Sequence, residues 1–407
     1  MWLFIHRPFE IWDFLGTIRI ERLYMVSITI FWLLFHKKST VLNYSTLALF
    51  FWYLCIICSD LLTPAGASWD RATEECSKYY LFTFLVITSI RTEKELKILL
   101  TSFCVIFFIY MLHSYWEFRH GRYIYRMGII RMVGVDVTMN DPNTFGASVI
   151  YALPMLIPLW ELKVKNILLW LGTKLFILAS LGLSVLCIIL TGSRSAFVAL
   201  IFGSVLLVCI SKHRIRLFLF FVLLAPLIWA VTPLSLKHRY LTLIDPSMGP
   251  ASAQESAEGR WEGMIKGIEI WKKAPVIGVG PGKSRKFMPG KVQTHSFIGQ
   301  VLSELGVIGM AVYLLIIFSV FMNYLKTRKY TKMYQLIRPP GDNYFHKVSI
   351  AVAFSVMELL LLGIGGHNAY RYTWIWYTAF HGIAVMILVN KVFDCADREN
   401  LKEEKIA

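Results

Sequence analysis

Between Leu236 and Gly309 the chain reads Glu258-Gly259-Arg260-Trp261, then Pro275-Val276-Ile277-Gly278-Val279-Gly280-Pro281-Gly282, then Thr294-His295-Ser296. The last of these runs directly into Phe297, Ile298 and Ser303-Glu304-Leu305-Gly306-Val307-Ile308-Gly309. This is the one long polar interruption in an otherwise apolar sequence, so its flanks decide the fold. The 407 residues are 56% hydrophobic and 15% aromatic, with a mean hydropathy of +0.56. That apolar share exceeds a soluble domain's and indicates a polytopic membrane protein. The expected fold class is all-α: one helical membrane domain over residues 1–407, with residues 233–295 inserted as a long external loop.

Working outward, apolar runs of roughly 17–22 residues can cross a bilayer as helices. Eleven are expected: about 22–36, 44–61, 78–91, 96–115, 144–160, 175–191, 195–211, 215–232, 296–325, 348–364 and 373–391. Alternate connections carry the cations. Lys37-Lys38, then Arg91, Lys94 and Lys97, then Lys163, Lys165 and Lys174 form one set with Lys212, Arg214 and Arg216, the segment Lys326–Arg338 and the C-terminal tail. The positive-inside rule places that set in the cytoplasm. Residues 62–77, 116–143, 192–194, 233–295 and 365–372 are then external. The net charge of +16 is explained by these connections, so no nucleic-acid partner is expected. Cys55 and Cys58 lie inside an apolar run, which argues against a metal or redox role. No cleavable signal peptide is expected, because Met1–Ile5 is too short and His6-Arg7-Pro8 follows. Trp2, Trp12 and Phe14 with Arg7, Arg19 and Arg22 predict an interfacial N-terminal helix.

The external segments hold the chemistry. Arg119, Arg122, Arg126 and Arg131 sit against the rule among Tyr115, Trp116, Tyr123 and Tyr125; headgroup contact and an anionic ligand both fit. Asn140-Asp141-Pro142-Asn143 signals a turn and a helix start. Thr191-Gly192-Ser193-Arg194-Ser195-Ala196 is a tight break between two spans. Arg194 there either snorkels to headgroups or is a fixed cation, and Ser193 opens a helix start that suits an anion. A loop helix is expected at about 256–273, with Trp261, Met264, Ile265, Ile268 and Trp271 on one face and Pro275 ending it. It would lie along the outer membrane surface, with Arg260 on the flank of that face. Gly278 to Ser284 lacks the first glycine of a phosphate loop and reads as a tight turn, with Lys283 and Arg285 as minor anion contacts. His295 precedes a span, with Glu304 further along it. His367-Asn368-Ala369-Tyr370-Arg371-Tyr372 forms a second cluster, and Glu358 is an intramembrane carboxylate.

In order and spacing these motifs resemble the O-antigen ligase and polymerase superfamily. The resemblance is carried by the Thr191–Ala196 break, by Gly259-Arg260-Trp261 with Pro275–Gly282, and by Thr294-His295-Ser296 with Ser303–Gly309; Asp141–Gly146 matches a weaker upstream feature. It implies an inner-membrane glycosyltransferase whose donor is a glycan on undecaprenyl pyrophosphate. The acceptor would be a lipid A core, a growing polysaccharide or, in some members, protein. Carried over by position, Arg194 and Arg260 match the arginines that contact pyrophosphate and His295 the essential histidine. Ser296 stands where many members have Asn. Arg126, Arg131, Ser193, Glu304 and His367 are the expected substrate contacts.

The chemistry is coherent without the resemblance. No Asp-x-Asp motif lies in the external segments, so a metal-bound nucleotide sugar is not indicated and no metal or cofactor is expected. A sugar on a lipid pyrophosphate is already activated. Its displacement needs cations for the charge developing on the leaving group, and Arg meets this in bidentate fashion. It also needs a base near neutral pKa for the acceptor hydroxyl, and His suits that. A polymerase is the nearest alternative, differing only in acceptor. A transporter of lipid-linked glycans is the non-enzymatic one, but only Glu358 lies clearly within a span.

Overall fold

The computed structural model describes residues 1–35, 43–64, 66, 69, 71–126, 128–163, 165–245, 252–288, 294–337 and 343–403. The chain opens with three short helices, α1 (Trp2–Ile5), α2 (Pro8–Ile11) and α3 (Asp13–Thr17). Then come α4 (Ile20–Phe35), α5 (Tyr44–Leu62), α6 (Arg71–Ser89) and α7 (Glu93–Arg119). A hairpin follows, β1 (Tyr123–Arg126) antiparallel to β2 (Ile129–Met132), with Tyr123 opposite Met132. Next are α8 (Pro142–Ala152), α9 (Leu156–Trp160), α10 (Ile167–Thr191), α11 (Arg194–Ile210) and α12 (Arg214–Val231). The chain ends with α13 (Leu234–Leu241), α14 (Ser252–Trp271), α15 (Phe297–Ile337), α16 (Tyr344–Gly363) and α17 (Tyr372–Glu403). The fold is helical with one small hairpin, which the all-α expectation lacks.

Eight helical stretches among the described residues are long and apolar enough to cross a membrane: α5, α7, α8 with α9, α10, α12, α15, α16 and α17 up to Ala396. The three other expected spans fall on α4, α6 and α11. α4 has 16 residues and α11 has 17, while the first turns of α6 carry Glu74, Glu75 and Lys78. The expected cytoplasmic connection after 325 is in part a continuation of α15 to Ile337, with Lys326 seated 4.3 Å above the Tyr44 ring.

The N-terminal arm departs in part from the sequence reading. It is three short helices rather than one; Trp2, Trp12 and Phe14 are exposed, but Leu3, Phe4 and Ile5 are buried, with Phe4 packed on Tyr79, Phe82 and Trp376. Arg7, buried and at φ 49°, grips Glu75 with both terminal nitrogens at 3.0 and 3.1 Å and meets Glu10 at 2.7 Å. A cation satisfied this way belongs to the interior, whatever its neighbours suggest.

α15 is the central element, packed on α5, α14, α16 and α17. It is broken at Gly306, where φ 65° and ψ −162° interrupt the helix. The Pro275–Gly282 turn fills the break. Val279 N donates to Ser303 O at 2.8 Å and Gly280 N to Glu304 O at 3.0 Å; from the other side Val307 N donates to Pro275 O and Ile308 N to Val276 O. The backbone groups that a helix break orphans are thus paired. Both glycines are obligatory here: a Cβ on Gly278 would stand 2.2 Å from Glu304 C, and one on Gly306 would stand 2.3 Å from Val276 O. Glu304 and Lys283 complete this clamp. Glu304 is buried and accepts from Gly282 N and Ser284 Oγ. Lys283 is buried against Asp60 at 2.8 Å and donates to Gly66 O. The expectation of Lys283 as a minor anion contact is corrected by that pair.

Candidate functional site

The site is built where α10 ends and α11 begins. Gly192 closes α10 in the left-handed conformation at φ 58°, and Ser193 opens α11 by accepting from Ala196 N at 3.4 Å. The last carbonyls of α10 need donors. Tyr240 Oη donates to Ile189 O, Arg131 Nε to Thr191 O and Arg239 Nε to Gly192 O. Cations at a helix C-terminus also answer its dipole. Arg131, which further donates to Asn143 Oδ1 at 2.9 Å, is therefore a strut between helix ends rather than an open ligand group. Ser193 is buried in the same junction.

Arg194 differs. It occupies the first turn of α11, where the helix dipole opposes a cation, so the helix gains nothing from it. It is half-buried and its Nη1 donates to Thr242 Oγ1 at 3.2 Å.

α14 brings the second arginine. Its packed face is Gly263, Gly267 and Ile270; the expected stripe leaves Trp261 64% and Ile265 41% exposed. A Cβ on Gly267 would stand 2.8 Å from Gly299 Cα, and one on Gly263 would stand 3.0 Å from His295 N. The helix is therefore seated on the start of α15 through its glycines, and Trp261 and Ile265 stay exposed on its flank. Arg260, one turn before Gly263, comes down on the α16–α17 connection: a Cβ on Gly365 would meet its Nη1 at 3.1 Å. Burial, then the charge of Arg194, push Arg260 below its ordinary value, and Asp141 pulls the other way.

His295 is half-buried at the mouth of α15, just before Ser296, whose Oγ accepts from Gly299 N at 3.4 Å. Burial and then Arg260 hold it below the usual histidine range, again against Asp141. It is therefore neutral near pH 7, with a nitrogen available as acceptor. The His367 ring lies 5.4 Å from it, tilted by 52°. That connection is held rigidly: Asn368 Nδ2 donates to Leu359 O and Tyr151 Oη, Gln300 Oε1 accepts from Ala369 N, and Trp374 Nε1 donates to Asn368 O.

Of the expected site residues, Arg194, Arg260, His295 and His367 come together. Glu304 belongs to the clamp. Arg126 lies on β1, with its side chain outside the described residues. Sequence reasoning took Asp141 only as a helix start. It is that, accepting from Thr144 N at 2.8 Å, but it also bears electrostatically on Arg260, His295 and His367. Gly365 was not singled out, and no local signal marks it.

The chain is thus a multi-pass helical membrane protein in which Arg194, Arg260, His295 and His367 lie close to one another. Residues 179–314, the stretch that holds Arg194, Arg260 and His295, match the family described as O-antigen ligase. No curated protein matches the chain.

Proposed function

We propose that the protein is a glycosyltransferase of the O-antigen ligase type, acting on the external face of a bacterial inner membrane. It moves a glycan from undecaprenyl pyrophosphate to an acceptor hydroxyl, without metal and with inversion. The observation that carries this reading is the meeting of Arg194, Arg260 and His295, whose surroundings disfavour its charged form. His295 takes the proton as the acceptor O–H bond breaks. The oxygen attacks the anomeric carbon from the face opposite the phosphate. The C–O bond to the pyrophosphate breaks, and its electron pair leaves on an oxygen that Arg194 and Arg260 stabilise.

The basic connections described above support the external placement through the positive-inside rule. A discontinuous helix in a transporter lines its substrate path. The break at Gly306 is instead filled by the Pro275–Gly282 turn, which favours chemistry over transport.

The test is a defined assay with purified protein, undecaprenyl-pyrophosphate glycan and a panel of lipid and polysaccharide acceptors. Product formed by the natural chain and lost in His295→Ala is the expected result, and its size separates one-step ligation from polymerisation. Full transfer by Arg194→Ala, Arg260→Ala and His295→Ala proteins that insert normally would overturn the reading.

A further inference from the structure

His295 and His367 stand at a spacing the molecule uses elsewhere for bonded imidazoles. In the N-terminal arm, His113 Nδ1 and His6 Nε2 are 3.0 Å apart, in hydrogen-bond contact, with ring centres at 5.0 Å. His295 and His367 have ring centres at 5.4 Å, so a small rotation of the exposed partner brings two nitrogens into bonding range. His367 Nδ1 is buried and has no hydrogen-bond partner among the described residues. An orphaned buried nitrogen is costly unless it finds a partner at some stage of the cycle.

We propose that His367 is a positioning residue for His295: its neutral imidazole accepts a hydrogen bond from the His295 imidazolium and so stabilises the proton taken from the acceptor. This rests on the transferase reading above. The sequence placed His367 among the substrate contacts, whereas here it acts through its neighbour.

The surroundings assign the two rings different parts. His367 faces His295, Arg371, Asp141 and Arg285; burial first, then His295 and Arg371, push it down to about 4. His295 faces Arg260 from α14 and Asp141 from the start of α8, and it is the more exposed of the two. The first proton therefore goes to His295, and at that moment His367 is uncharged and able to accept. Arg260 repels the new imidazolium from one side, so a hydrogen-bond acceptor on the other is what the base requires. Gln300, Asn368 and Trp374 fix the connection that carries His367, which makes the acceptor preorganised.

The experiment compares His367→Phe, which keeps a ring but no acceptor, with His367→Asn, which keeps an acceptor. Transfer is followed over pH 4.5–9 at saturating and limiting donor. The expected result for His367→Phe is a kcat reduced about ten- to a hundredfold, an unchanged donor KM, and an acid limb moved to lower pH, because an imidazolium without its acceptor is a stronger acid. His367→Asn is expected to recover most of both. If Phe prevents insertion, His367→Leu and His367→Gln give the same comparison. Equal losses in the paired variants with an unmoved acid limb would assign His367 to packing and overturn the proposal. Full activity of His295→Ala would instead overturn the transferase reading itself.

Discussion

The clamp around Gly306 and the arginine–histidine end both concentrate charge, and they treat it in opposite ways. In the clamp Lys283 is wholly buried against Asp60, and Glu304 is wrapped by Gly282 N and Ser284 Oγ. Each charge has its complement inside the chain. At the other region Arg194 bears on Arg260, Arg260 bears on His295, and the carboxylate that acts on Arg260 and His295 is the solvent-exposed Asp141. Here like charges face one another across helices, and the carboxylate acting on two of them is open to solvent. Charge in the first region holds the fold, and on the function proposed above charge in the second meets the pyrophosphate of the donor.

The contrast can be broken at its strongest point by truncation. His295→Ala is expected to cost about 10² to 10⁴ in transfer rate, and Arg260→Ala about 10² to 10³, with unfolding in detergent unchanged. If either variant loses stability instead of rate, the second region is structural after all. Lys283→Ala should behave in reverse. It strands Asp60 and is expected to lower stability by about 3–5 kcal/mol, and Lys283→Met with Asp60→Leu should restore most of that in a thermal melt. A Lys283→Ala protein of normal stability would show that the buried pair does not hold the clamp.

Smaller effects sharpen the picture. Gly365→Ala sets a methyl group against the Arg260 guanidinium and is expected to lower transfer about tenfold, consistent with the sensitivity of catalysis to displacements of an ångström. Comparison with Gly172→Ala, where the added methyl meets nothing, gives the baseline. The smallest effect belongs to Asp141→Asn. Asp141 raises the His295 pKa, so its loss lowers that pKa, and the acid limb of the rate profile should move to lower pH. A shift to higher pH would mean that Asp141 does not act on His295 through its charge.

What was legible follows from what is local. The Thr191–Ala196 break was readable because Gly192 and Ser193 are the caps of the two helices they separate, and caps are written in neighbouring residues. The arginine and histidine motifs were readable by type and order. Within the N-terminal arm Arg7 was misplaced at the surface because it is satisfied by Glu75, which lies 68 residues away. The packed face of α14 was not legible because hydrophobic periodicity weights Trp261 and Ile265, while helices approach through Gly263, Gly267 and Gly299, whose lack of a side chain carries no apolar signal. Glu304 looked like a site residue from its distance to His295 along the helix. Its side chain turns instead to a loop that sequence spacing cannot place.

The interruption at Gly306 divides α15 into two stretches with different fastenings. Beyond it the helix runs to Ile337, apolar as far as Leu325, and is tied into the bundle through Tyr313 Oη to Ala369 O and Asn323 Nδ2 to Ser45 Oγ. The two turns from Phe297 to Leu305 are fastened separately, through Ser303 O and Glu304 O to the Pro275–Gly282 turn and through Ser59 Oγ to α5. Gly306 is thus a seam at which two separately held stretches of one helix meet, and the short stretch that follows His295 takes its position from the loop and α5 rather than from the rest of its own helix.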